Sequence, residues 1–182
     1  MKKIFIITLS ILLNINFLFA DDRSSELNHL FNELKIKDKN LSFEVEQQIW
    51  KIWSTHPNNN RLTSMLAAGS NFMNNNEYSK AVEIFTKVID LDPTWAEAWN
   101  KRATVLYIIG EFEKSQNDID QVLKLEKRHF GALAGQGLVN IELENYEKAL
   151  ESYKEAMRIY PSMNSPKIMI KQIKELIQRQ SI

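Results

Sequence analysis

The sequence predicts an all-α fold: an α-solenoid of stacked helical hairpins, with an N-terminal capping hairpin and a C-terminal solvating helix. Three observations predict it. Like residues return every 34 positions between residues 62 and 163. Within each unit the large apolar residues recur every three or four positions, which puts them on one face of a helix. Gly and Pro number 5 and 4 in 182 residues, too few for a loop-rich β architecture.

Composition narrows the function. The chain carries 23 Lys plus Arg against 23 Asp plus Glu, a net charge of zero. That balance argues against a nucleic-acid partner. Hydrophobic residues are 44% and charged residues 25%, the mix of a packed globular chain. Cys is 0, which excludes disulfides, thiolate metal sites and a Cys nucleophile.

Met1-Lys2-Lys3 opens the chain, an apolar run follows from Ile4 to Phe19, and Ala20 precedes Asp21-Asp22. A basic start, a short apolar core and a small residue at the end form a secretory signal peptide over residues 1–20. The run is shorter than the ~20 apolar residues that span a bilayer. Leu18 is larger than a cleavage site prefers, so an uncleaved anchor is the competing reading. Cleavage leaves 162 residues with 21 basic and 23 acidic side chains. An exported chain without Cys suits a bacterial periplasm. An uncleaved segment instead implies an inner-membrane anchor, the only case in which a membrane is a partner.

Residues 21–61 form the N-terminal helical hairpin. Leu27, Leu30, Phe31 and Leu34 mark its first helix. Val45, Ile49, Trp50, Ile52 and Trp53 mark its second, and Pro57 stops it. This pair reads as a degenerate repeat that caps the array. Residues 62–95, 96–129 and 130–163 are the three repeating units. Gly69, Ala103 and Gly137 form a small-residue column, and Ala81, Ser115 and Ala149 form another. Phe85, Ile119 and Tyr153 form a large apolar column. Asn76, Gly110 and Glu144 lie between the helices of each unit, where a left-handed residue ends the first helix. Glu144 suits that conformation least, and Asn145 is the alternative. Residues 164–182 are the C-terminal capping helix, opening at Ser165-Pro166 with an apolar face of Met169, Ile173 and Leu176.

The columns resemble the tetratricopeptide repeat, a 34-residue helical hairpin. Residues 130–163 carry Leu133, Gly137, Tyr146, Ala149, Tyr153, Ala156 and Pro161 at that family's spacing. Residues 62–95 carry Gly69, Tyr78, Ala81, Phe85 and Pro93. Residues 96–129 carry Trp99, Ala103, Leu106, Phe112, Val122 and Leu125, and depart at Arg102, Ser115 and Lys127. The leader, the Trp50-x-x-Trp53-x-x-His56-Pro57 opening and the three units resemble small exported repeat proteins of Gram-negative bacteria.

The resemblance implies a non-enzymatic scaffold that binds a protein or peptide segment in the groove lined by the first helix of each unit. One helical face from the packing columns, that groove takes Leu66, Ser70 and Met73, then Asn100, Thr104 and Tyr107, then Ala134, Leu138 and Ile141. This set is apolar and neutral, so an extended segment with apolar side chains is the expected ligand. Some family members clamp a C-terminal carboxylate with basic and Asn side chains. Leu66, Ser70, Gly131 and Gly135 stand where polar or basic groups would be wanted for that. A membrane-anchored accessory subunit of an envelope-biogenesis or assembly complex is the alternative function, and self-association is a further one.

Catalytic, cofactor and metal sites are not expected. His29, His56 and His129 form no pair with metal-ligand spacing. His56 reads as a helix-end residue. No phosphate-binding Gly loop or nucleophile elbow is present in the sequence. Arg102 and Asp118 both replace neutral residues of the other units, which predicts a partly buried charge pair inside one hairpin. Among the four tryptophans Trp95 is expected to be the most exposed.

Overall fold

The computed structural model describes residues 22–36 and 38–180; the predicted signal segment 1–20 lies outside the described residues. The described residues form helices and turns without strands. Helix α1 (22–33) and α2 (Lys39–Ser54) come first. Three antiparallel hairpins follow: α3 (Asn60–Asn74) with α4 (Tyr78–Leu91), α5 (Ala96–Ile108) with α6 (Phe112–Leu125), and α7 (Phe130–Glu142) with α8 (Tyr146–Ile159). Helix α9 (Asn164–Gln180) packs on α8 and closes the array. No helix of the described residues is long and apolar enough to cross a membrane.

The repeat period is built from the same local devices three times. Asn76, Gly110 and Glu144 adopt φ of 61°, 81° and 57°. Each lets the next residue's N–H donate back to a carbonyl five residues earlier: Glu77 to Phe72 at 2.8 Å, Glu111 to Leu106 at 2.9 Å, Asn145 to Asn140 at 2.7 Å. Glu144, not Asn145, takes the left-handed position, because the hairpin fixes where the turn must fall. Pro93 and Pro161 follow α4 and α8. Helix α6 ends in register at Leu125 with Lys127 in the proline column, so the turn alone suffices.

The columns meet as the spacing requires. Phe85, Tyr153, Ala81, Ala149, Val88 and Val122 are fully buried, and Ile119 nearly so. Gly137 lies so close to Tyr153 that a Cβ would fall within 2.7 Å of three ring atoms. Gly69 meets Phe85 in the same way, within 3.0 Å. Ser115 fills the Ala column by donating its hydroxyl to the Ala103 carbonyl at 2.8 Å.

The N-terminal hairpin forms, but it does not extend the stack beyond the first repeat. Leu27, Leu30, Phe31 and Leu34 of the first helix join Val45, Ile49 and Trp53 of α2, and together they cover Phe130, Leu133, Ile159 and Tyr160 of the third repeat. The reason is where apolar surface remains. The outer side of α3 presents Arg61, Ser64, Ala67, Ala68 and Asn71 to solvent, a face with nothing large and apolar to cover. The third repeat presents four large side chains that need a partner. Polar contacts fix the placement: Ser42 Oγ lies 3.3 Å from Ser162 Oγ, and the Tyr160 hydroxyl donates to Glu46 at 3.1 Å.

Candidate protein-binding groove

The residues expected to line the groove lie on α3, α5 and α7. Leu66 is buried in the core of the first repeat, Ser70 donates to its carbonyl at 3.0 Å, and Met73 packs on the same core. Asn100 is buried and donates to Glu97 at 3.1 Å. Thr104 is exposed and donates to the Asn100 carbonyl at 2.9 Å. Tyr107 is half-buried, its ring 5.7 Å from that of Phe112. Ala134 and Ile141 pack toward the α9 cluster, and Leu138 is exposed.

A cavity of about 270 Å³ opens between α5 and α7. Asn100, Thr104, Tyr107, Ala134 and Leu138 line it, whereas Leu66, Ser70, Met73 and Ile141 do not. Gly131, Gly135 and Ala103 keep it open, and Ile119 and Val139 form apolar walls. No charged side chain lines it. Burial and the neighbouring Glu142 carboxylate push the Tyr107 hydroxyl above its ordinary pKa, so it stays a neutral donor.

The N-terminal hairpin shuts one end of the groove, which the repeat pattern alone does not reveal. Trp50 sits on Gly131, where a Cβ would come within 2.9 Å of two indole atoms. Trp53 stacks flat on His129 with ring centres 4.0 Å apart. His129 Nδ1 accepts the Ala132 N–H at 3.0 Å and so caps α7. The ring's proton therefore lies on Nε2 and is donated to Glu97 at 3.1 Å. Glu97 is buried, with Lys101 Nζ 3.2 Å from its second oxygen. Burial opposes ionisation of Glu97, yet His129 and Lys101 outweigh it and hold the carboxyl below its usual range.

Other expected sites fall into the scaffold. Arg102 forks onto Asp118 at 2.7 and 2.8 Å and adds Thr86 of the preceding repeat at 3.0 Å. Gln136, one repeat later, meets Ser152 at 2.9 Å, and Ala68, one repeat earlier, faces solvent. His56 is buried and pairs with Asp92 at 2.7 Å, tying the end of α2 to the turn after α4. Trp95 is buried, contrary to expectation, because its indole N–H donates to the Trp53 carbonyl at 2.8 Å. Trp99 is the more exposed of the two. Among the described residues no group of three or more His, Asp or Glu is placed to hold a metal.

Residues 62–94 and 101–164 match tetratricopeptide-repeat family models. A TPR repeat-containing protein of Rhizobium etli is 28% identical over 137 residues, covering 75% of this chain and 67% of that protein. RNA polymerase II-associated protein 3 of Xenopus laevis is 25% identical over 91 residues, 50% of this chain but 14% of that protein. The fold resembles the first TPR domain of Spaghetti bound to an HSP90 peptide, with TM-score 0.64 and 18% identity over 65% of this chain and 94% of that one. It also resembles the TPR2B domain of yeast Sti1 in a pHsp70 complex, with TM-score 0.62 and 16% identity over 65% and 99%. Repeat matches over more than half of its length, carried by hairpins that stack in this way, show that the chain belongs to the tetratricopeptide-repeat family.

Proposed function

We propose that this protein is a non-enzymatic interaction scaffold of the periplasm that seats an extended partner segment across its concave face. One observation carries the reading: an open, uncharged cavity between α5 and α7 lined by Asn100, Thr104, Tyr107 and Leu138. Its walls suit an apolar side chain, while the hydroxyl oxygens of Thr104 and Tyr107, whose protons go to the Asn100 carbonyl and to Glu142, are left to accept from a partner's backbone N–H. The fold neighbours solved with an HSP90 peptide or an HSP70 peptide support a peptide-binding role. The neutral lining favours a segment without acidic groups at this point. The Trp50 wall shortens the groove, so the partner segment ends or turns there.

The short apolar run Ile4–Phe19 supports export, and Leu18 motivates the alternative in which it stays attached as an anchor for an envelope-assembly subunit. Fractionation with N-terminal sequencing separates them: a mature chain starting at Asp21 excludes the anchor. Affinity capture from a periplasmic extract tests the groove. Proteins captured by the wild-type chain should be lost with the Tyr107→Ala/Leu138→Glu variant. Retention of the same proteins by that variant would refute binding at this face.

A further inference from the structure

We propose that the chain carries a second site, separate from the groove, that binds a phosphoryl group. Docking of the N-terminal hairpin creates it. Asn28 and Asn32, four residues apart on one face of the first helix, and Lys35 in the turn that follows it form one side. Opposite stand Arg128 from the turn before α7 and Arg158 from the last turn of α8. Between them lies a cavity of about 270 Å³ over the apolar floor of Phe31 and Ile159. That is roughly the volume of nine waters, room for a phosphoryl group and part of the molecule that bears it.

The lining holds three cationic side chains and no carboxylate. Glu126 and Glu155 lie outside it and aim the guanidinium groups. Arg128 makes two bonds of 2.9 Å to Glu126 through Nε and Nη2, and one of 2.6 Å from Nη1 to Asn28. Its plane rests on the Phe31 ring, 4.2 Å from the centroid. Arg158 is forked onto Glu155 at 2.8 and 2.6 Å. Of five N–H donors on each guanidinium, two remain on Arg128 and three on Arg158. Among the described residues Lys35 makes no ion pair, so its ammonium adds three more. Eight free donors exceed what the two oxygens of a carboxylate can accept. Glu126 and Glu155 offset two of the three positive charges, so the match rests on the free donors and on the Lys35 ammonium: a phosphoryl group offers three oxygens to them where a carboxylate offers two.

Inorganic phosphate and a phosphomonoester such as glycerol phosphate share this chemistry. Calorimetric titration of the full chain with each, and with acetate at equal ionic strength, distinguishes the sources. Saturable one-to-one binding of phosphate, of the monoester or of both is expected, with acetate weaker. Lys35 and Arg158 are exposed, so Lys35→Gln and Arg158→Gln should fold normally, as their melting without ligand checks. Each should weaken binding about tenfold, and Lys35→Glu should abolish it. Leu138→Glu in the groove should leave it unchanged, which keeps this site distinct from the peptide-binding reading. Absence of saturable binding to both phosphates, equal binding of acetate, or affinity insensitive to Lys35→Glu would overturn the proposal.

Discussion

Gly135 and Gly137 stand two residues apart on α7, and adding one methyl to each should have opposite effects. At Gly135 a Cβ would meet Ile119 Cδ1 at 3.7 Å, an ordinary contact. Gly135→Ala should therefore gain the helix-propensity difference, about 1 kcal/mol. At Gly137 the same atom would fall within 2.7 Å of three atoms of the Tyr153 ring, roughly 1 Å inside normal contact. Tyr153 is fully buried, so its ring has nowhere to retreat without moving α8. Overpacking of this kind costs about 1–3 kcal/mol. With severe overlap near the top of that range, and about 1 kcal/mol returned by propensity, the net loss is about 2 kcal/mol. For a chain of this size that lowers the melting temperature by about 4–8 °C, while Gly135→Ala raises it by about 2–4 °C. Thermal unfolding followed by circular dichroism reads both. Gly137→Ala melting level with Gly135→Ala would refute the close-approach argument.

Removing the Arg102 fork strands Asp118, which is nearly buried. Arg102→Met should cost about 3 kcal/mol in urea unfolding, most of it recovered by adding Asp118→Asn; wild-type stability of the single variant would contradict the pairing. Glu144 holds φ of 57°, a conformation that penalises a side chain, so Glu144→Gly should stabilise by about 1 kcal/mol. A loss of stability there would show that Glu144 makes a contact outweighing its backbone. The folded state holds the Glu97 carboxyl low against the cost of burial, through His129 and Lys101, and holds Asp92 low likewise through Thr94 and His56. Depressed folded pKa values contribute stability above the unfolded values, about 4, and lose it as pH falls through the folded ones. Urea titrations from about pH 7 to 3 should show a decline beginning near pH 4.5, shallower in Glu97→Gln; an equally steep decline in that variant would exclude Glu97 as a source.

What the sequence makes legible is what the chain decides locally. Phe85, Ile119 and Tyr153 share a column because each repeat folds on itself, and the partners lie within one hairpin. The Arg102–Asp118 pair is visible for the same reason, its members 16 residues apart in one unit. The docking of α2 is not local: Ser42 meets Ser162 across 120 residues, and Tyr160 meets Glu46 across 114. A signal for it is nevertheless written in α3, whose Ala67, Ala68 and Asn71 leave no apolar face for a preceding helix. Trp95 escapes sequence reasoning because the carbonyl it binds, that of Trp53, belongs to the same docked helix. The cluster of Lys35, Arg128 and Arg158 is scattered in the sequence and exists only once the hairpin has docked.

The closure of the N-terminal hairpin on the third repeat sets both the blocked groove end and the cationic cavity, and the lack of native Cys allows a clean measurement of it. Ser42→Cys and Ser162→Cys replace hydroxyls 3.3 Å apart. Mild oxidation of the double variant should give an intramolecular disulfide, seen as a faster-migrating monomer that resists thiol alkylation. Two thiols that remain open to alkylation, or a bond formed only between separate chains, would contradict that closure.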